Sequence, residues 1–332
     1  MTNFTVSAAT SAEQSRALLV GATPPNSSFT QESNFSVEKI DRALRLGFRR
    51  PAWVWFAADD DERVLGVVAG WGAASRTVAD ILDFLDLPED PVIAAALLGQ
   101  AVADSTEPGR TTFELLHFLP SDTGLDDPAL ARLIDTLAAS GFRMLVRRHR
   151  YRLPVLTATI TIPKTELSFE VIDGPDDPRL LRVVKEILVG SLDAHDVDAL
   201  ERADLDAVAA DTVKEYLGLD PVDAFFLASD ASGALVGLVV GGLRGSPEIG
   251  IASFIGVSHL HRGDGYAAQL LGWITERMVG QNAQFIIGET DDDNFPMAAA
   301  FTKVGYPHTE SRIDFVRDLG DRSADNSADN PH

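Results

Sequence analysis

HRGDGYAAQLL, running from His261 to Leu271, decides how the rest of this sequence is read. Taken alone it admits three meanings. Arg262-Gly263-Asp264 is an adhesion tripeptide, Gly263-x-Gly265-x-x-Ala268 is a dinucleotide-type turn, and the whole stretch is a glycine-bearing loop ahead of a helix that could cradle another phosphate. The adhesion reading needs an exposed loop on an exported protein, and here the tripeptide sits between an apolar strand and an amphipathic helix. The dinucleotide turn begins almost at a strand end, yet Ser-His-Leu-His-Arg separates Val257 from Gly263. Glu289 stands about where a ribose-binding acid would fall, so that reading stays open as an alternative. A longer loop closing on a helix start explains the spacing. The first helical N–H groups there have no internal partner and the helix dipole adds roughly half a positive charge, a combination that holds a pyrophosphate by backbone. Gly263 and Gly265 permit positive φ, and Arg262 adds a forked cation.

Composition bounds the function. A chain of 332 residues with 45% apolar content can bury two cores. No apolar run approaches the ~20 residues of a membrane span, and the first residues lack a signal-peptide pattern, so the expected location is cytoplasmic. There is no cysteine, which excludes disulfides, thiolate metal sites and cysteine nucleophiles, and no other metal site is expected. A net charge of -22 repels nucleic acid and anionic lipid and favours cationic small molecules.

Two segments resemble each other at a constant offset. FAADDDERVLGVVAGW (Phe56 to Trp71) lies over LASDASGALVGLVVGG (Leu227 to Gly242), matching Gly66 to Gly237, Val68 to Val239 and Gly70 to Gly241. Each reads as a hairpin. Helical patterns precede both hairpins, and both are followed by strand, helix, strand, helix and a last strand of alternating charge. The chain is expected to be two copies of one mixed α/β unit, over residues 1–155 and 165–319, with the boundary in the proline-bracketed stretch Leu153 to Lys164 and a disordered tail at 320–332.

On these residues a resemblance can be stated. Val257-Ser-His-Leu-His-Arg262-Gly-Asp-Gly265-Tyr-Ala267 resembles the acetyl-CoA pyrophosphate signature of the GNAT superfamily of N-acetyltransferases. Thr290 to Tyr306 resembles that family's next block: a strand end, an Asn, a short helix and a Gly-aromatic pair. The similarity covers roughly residues 165 to 318. It implies a fold of class α/β (mixed α+β), two GNAT-like domains each built on a largely antiparallel mixed sheet flanked by helices, and acetyl-CoA as co-substrate. It further implies that the pantetheine arm lies along Phe254-Ile255-Gly256-Val257, with the Val257 N–H polarising the thioester carbonyl. Arg262, Gly263, Asp264, Gly265, Tyr266 and Ala267 would hold the pyrophosphate, Asn294 would flank the pantetheine, and Lys303 would reach a CoA phosphate. Phe301 departs from the pattern, because many members have a tyrosine there that protonates the departing thiolate. A CoA-like thiol has a pKa of about 8.5, so its thiolate can leave without a strong acid.

The acceptor is expected to be a small-molecule amine, with neither nucleic acid nor membrane as partner, and a homodimer remains open. A lysine-like ammonium of pKa about 10.4 is neutral in roughly one molecule in 2,500 at pH 7, so a base or a desolvating pocket must assist. Glu289, Glu248 and His259 are the candidates, in that order. In the first half the matching stretch is DLPEDPVIAAA, with Pro91, Val92 and Ala94 in place of Arg262, Gly263 and Gly265. That copy is expected not to bind CoA. A non-catalytic CoA-binding or interaction module, or an NAD-binding oxidoreductase, are the other functions the sequence admits.

Overall fold

The computed structural model describes residues 3–23, 35–219, 224–243 and 248–320. It divides into two compact units, one of Met1–Val146 with Arg312–His332 and the other of Arg147–Ser311. All but Gly320 of the expected tail lies outside the described residues.

The first unit contains β1 (Phe4–Ala8), α1 (Ala12–Gly21), α2 (Val37–Leu46), β2 (Val54–Asp59), β3 (Val64–Trp71), β4 (Ile81–Asp86), α3 (Pro91–Ser105), β5 (Thr112–Pro120) and α4 (Pro128–Ala139). Strand β6 (Arg143–Pro154) starts there and runs on into the second unit. The second unit continues with β7 (Ser168–Val171), α5 (Pro178–Leu188), α6 (Ala194–Arg202), α7 (Leu205–Leu219), β8 (Phe225–Ser229), β9 (Leu235–Leu243), β10 (Ile249–Val257), α8 (Tyr266–Gly280), β11 (Phe285–Asp291) and α9 (Phe295–Val304). Strand β12 (His308–Asp318) starts in it and ends in the first unit. The mixed α/β class and the repeated element order match the expectation from sequence.

The units divide between residues 146 and 147 and between 311 and 312, inside strands, whereas the sequence pointed to Leu153 to Lys164. Pairing explains the difference. Within the second unit the strand order is β6-β11-β10-β9-β8-β7, and β6 pairs antiparallel with β11 from Phe285↔Pro154 to Asp291↔Arg148. Within the first unit the order is β1-β2-β3-β4-β5 and then β12. Each half of the chain therefore sends its last strand into the sheet of the other. The proline-bracketed stretch is packed: the Thr161 N–H donates to the Val304 carbonyl, and Val155, Ala158 and Ile160 lie against the second unit's core.

The repeated glycines have a physical reason. A Cβ on Gly237 would stand 2.2 Å from the Gly256 carbonyl oxygen, and one on Gly66 2.8 Å from that of Asp86. At both places the neighbouring strand passes too close for a side chain. Helix α5 starts at an Asp177 cap with Pro178 behind it and buries Leu180, Val183, Val184, Ile187 and Leu188 at helical spacing against β8 to β10. Helices α8 and α9 cover the opposite face with Leu270, Leu271, Ile274, Phe301 and Val304. No helix among the described residues is long and apolar enough to cross a membrane.

Candidate functional site

The site begins where two parallel strands part. β10 and β11 pair only at Ile249↔Phe285, Gly250↔Ile286 and Ile251↔Ile287. The β10 register against β9 then shifts between Ala252 and Phe254, a bulge that bends the strand. From there Ile255, Gly256 and Val257 stay paired with β9 on one side, at Val239, Leu238 and Gly237, and are not paired with β11 on the other. The result is a wedge whose β10 side carries backbone groups that a ligand can pair with.

The wedge ends at the glycine loop. Gly263 has φ +96 and Gly265 φ +75, so both occupy the left-handed region. A Cβ built on either meets nothing within 4 Å. Gly265 is the N-cap of α8 and offers no side chain to the first N–H groups, among them those of Tyr266 and Ala267. This terminus has the open shape and electrostatics that an anionic group fits. The first half differs as its sequence predicts. There Asp90 is the cap, its Oδ1 accepts the Val92 N–H at 2.9 Å, and Pro91 removes a donor. A carboxylate already fills the place an outside anion would take.

Arg262 does not reach toward that space. Its Nη1 donates to the carbonyls of Val189 (3.0 Å) and Gly190 (2.6 Å), its Nη2 to that of Ile187 (2.6 Å), and its Nε to that of Val257 (3.3 Å). The guanidinium thus caps the C-terminal end of α5 and ties the loop to it. Burial lowers its pKa and Asp196 opposes that shift. Ser258 Oγ and His259 Nδ1 add bonds to the Glu186 carboxylate and carbonyl, each 2.9 Å. A carbonyl only accepts, so His259 Nδ1 is the donor in its bond. An Arg262→Lys change should therefore cost about 1 kcal/mol in urea unfolding, since one ammonium cannot span these carbonyls. An unchanged midpoint would show that the four bonds contribute nothing.

The other expected residues separate. Glu289 lies on the splayed part of β11, its carboxylate 3.4 Å from Arg150 Nε, which also faces Glu310 at 3.5 Å. Glu248 stands at the opposite end of β10, about 30 Å along the strand from Val257, where its carbonyl accepts the N–H groups of Gln284 and Phe285. That removes it from any reaction at the wedge. Asn294 caps α9, its Oδ1 accepting the Met297 N–H at 3.2 Å. Asp264 is exposed in the loop, and Lys303 is exposed in the last turn of α9. Phe301 is 1% exposed, stacked on Tyr151 at 4.2 Å and edge-on to Tyr306. It occupies the core, and a Cβ on Gly288 would stand 2.7 Å from its ring.

A polar cluster that the sequence did not single out lies beside the open end of β11. Arg148 bridges Asp193 (2.8 Å) and Asp291 (3.0 Å). Asp291 is 1% exposed and its Oδ2 accepts the Ala194 N–H at 2.7 Å. Ser191 Oγ donates to Asp196 at 2.6 Å. Burial and the neighbouring Asp193 charge push Asp291 and Asp196 each up to about 6. Arg148 and His195 oppose burial at Asp193 and hold it well below the usual carboxylate range. Among the described residues no group of three His, Cys, Asp or Glu is arranged to hold a metal.

A sequence model of the acetyltransferase (GNAT) family matches residues 192–306, which include the bulge, the glycine loop, α8 and the Asn294 cap. Solved structures share the fold along nearly the whole chain. A GCN5-related N-acetyltransferase from Sphaerobacter thermophilus is 13% identical, with 95% of each chain covered and a TM-score of 0.56. A tandem GNAT protein from the clavulanic acid biosynthesis pathway is 17% identical, covering 96% of this chain and 99% of that one, with a TM-score of 0.50. The glucosamine N-acetyltransferase region of a fungal multi-domain GH3 β-N-acetylglucosaminidase is 13% identical with a TM-score of 0.58, covering 95% of this chain and 38% of that one. With the wedge, the open glycine loop and the repeated unit already in place, these matches give the chain a tandem GNAT fold, with residues 192–306 matching the acetyltransferase (GNAT) family model.

Proposed function

We propose that this protein transfers an acetyl group from acetyl-CoA to an amine of a small molecule by direct attack within a ternary complex. The observation that carries this reading is the wedge between β10 and β11 leading to an uncapped α8 terminus with open space at Gly263 and Gly265. The pantetheine arm would pair with β10 at Ile255 to Val257, the Val257 N–H would polarise the thioester carbonyl, and the pyrophosphate would lie on the N–H groups of residues 263–267. Asn294 flanks the arm from the start of α9. Arg262 serves by fixing the loop to α5, and Lys303 is left for the outer phosphate.

In the reaction the amine nitrogen attacks the thioester carbon, the C–S bond breaks and the thiolate leaves. The proton lost by nitrogen passes to a carboxylate directly or through water, and the thiolate takes its proton from water. Glu289 stands on the strand that lines the wedge and remains the first candidate base, with His259 next. The Asp196 and Asp291 carboxylates, each pushed up to about 6, lie closer to the pKa of an efficient base at neutral pH. Phe301, buried where many family members place a tyrosine, cannot act as acid and favours the second reading, a module that binds acetyl-CoA without turning it over. The acceptor reading keeps a cytoplasmic location, no nucleic-acid or membrane partner, and leaves a homodimer open.

Calorimetry with acetyl-CoA and with NADH tests the cofactor, followed by a mass-spectrometric screen of amines for the gain of one acetyl group. NADH binding with silent acetyl-CoA would overturn the reading, and acetyl-CoA binding without any acetylated amine would favour the non-catalytic module. In the same titration Val92→Glu should leave acetyl-CoA affinity within about twofold, because Val92 is 63% exposed on a helix start already capped by Asp90.

A further inference from the structure

We propose that Arg148, delivered by the closing strand of the first half of the sequence, is a positioning residue for the amine side of the acyl-transfer site. The proposal rests on the acetyl-transfer reading for its kinetic consequence and on the geometry of the α5–α6 linker for its structure.

Residues 189–193 connect α5 to α6 and are pinned at both ends. At the start, Arg262 of the glycine loop holds the carbonyls of Val189 and Gly190. At the end, the Asp193 carboxylate caps α6 through the His195 N–H at 2.9 Å and meets Arg148 Nη2 at 2.8 Å. Asp291, opposite Arg148 in the β6–β11 register, meets Arg148 Nε at 3.0 Å and takes the Ala194 N–H on its other oxygen. The linker thus runs from the glycine loop to the end of β11 that β10 leaves unpaired. It carries Leu192, 53% exposed, and Ser191, which orients Asp196. A substrate approaching the wedge beside this linker meets groups whose places depend on the guanidinium.

Charge makes the dependence strong. Three carboxylates, Asp193, Asp196 and Asp291, surround one guanidinium. The other charged or titratable groups that act there are His195 on α6, Tyr216 on α7, which Glu215 in turn adjoins, and Arg262 on the loop. Burial pushes Tyr216 far up, so it stays neutral. Without Arg148 the like charges repel and the tie at Asp193 and Asp291 loses its cation. The same residue explains a use for the degenerate first half: its last strand carries the cation that the second half needs.

The test uses the full chain, acetyl-CoA, and the amine acetylated fastest in the screen. Arg148→Met should raise KM for the amine about tenfold, the size of one charge-assisted bond, with kcat within about threefold and acetyl-CoA affinity within about twofold. In the wild type the acid limb of kcat/KM should lie near pH 6, as Asp291 and Asp196 take up protons. In Arg148→Met it should move to higher pH, because both carboxylates lose a neighbouring cation. Arg148→Lys should recover most of the loss. Asp193→Asn keeps a helix cap while losing the charge, and should reproduce the KM effect if Arg148→Met fails to fold. An unchanged KM, or a parallel fall in kcat and acetyl-CoA affinity with no shift of the acid limb, overturns the proposal. If the wild type binds no acetyl-CoA the transferase reading fails by itself, and amide exchange over residues 191–196 then decides: faster exchange in Arg148→Met supports the tie, and unchanged exchange overturns it.

Discussion

Gly265→Val should weaken acetyl-CoA binding by tenfold or more while leaving the protein folded. Gly265 sits at φ +75 with nothing within 4 Å of a built Cβ, so a valine meets no neighbour in the free protein. What it meets is its own backbone. A β-branched residue in the left-handed region costs about 1–2 kcal/mol, and relaxing that strain turns the N–H groups of the α8 terminus away from their common focus. The two methyl groups also enter the open space that the pyrophosphate would use. Gly265→Asn separates these effects, since asparagine tolerates positive φ but still fills the space. Calorimetry should rank affinity as Gly, then Asn, then Val, with unfolding midpoints nearly equal for Gly and Asn. If valine leaves affinity unchanged, the phosphate is not held at this helix start.

The reach of this prediction comes from how local the loop is. Positive φ at Gly263 and Gly265, a helix start without a capping side chain and its contrast with Asp90-Pro91 are decided by residues within one turn of chain. Such features are legible in sequence because the physics that needs them acts over a few bonds. The repeated hairpins were legible for a similar reason: Gly66 and Gly237, like Gly70 and Gly241, must make room for the neighbouring strand, so the same residue recurs.

Partnership between distant strands is another matter. Arg148, Arg150 and Arg152 alternate along β6 in a pattern that reads as a solvated edge. In the structure they face Asp291, Glu289 and the ring of Phe285 on β11, about 140 residues later in the chain. Nothing within β6 names its partner. For that reason the sequence placed the boundary after β6, kept Glu248 near the site although β10 carries it to the far end, and missed the cluster at Asp193, Asp196 and Asp291. It gave Arg262 to the phosphate for a related reason. The chemistry of a guanidinium suits an anion or a row of carbonyls equally, and only the approach of α5 decides between them.

A chain starting at residue 165, the boundary legible in sequence, should fail to fold, and the loss should exceed that of any single substitution considered above. Removing β6 strips β11 of its antiparallel partner along its whole length, from Phe285 to Asp291, and leaves that edge bare. It also removes Tyr151 and Leu153, both buried in the core under α8 and α9, and takes away the ring on which Phe301 stacks. Emptying two such core positions costs about 2–5 kcal/mol each, which is comparable to the whole stability of a domain of this size. Arg148 and Arg150 leave with the strand, so Asp291 would be buried without its cation. The truncated chain should show no cooperative thermal transition and should bind apolar dyes, while the full chain unfolds cooperatively. Leu153→Asp in the full chain gives the same answer without truncation, since a carboxylate replacing a fully buried leucine beside Ile286 has no partner to pair with. A soluble, cooperatively folding 165–320 fragment would mean that β6 merely lies against a sheet already complete, and the role given to Arg148 would then have to be carried by the second half alone.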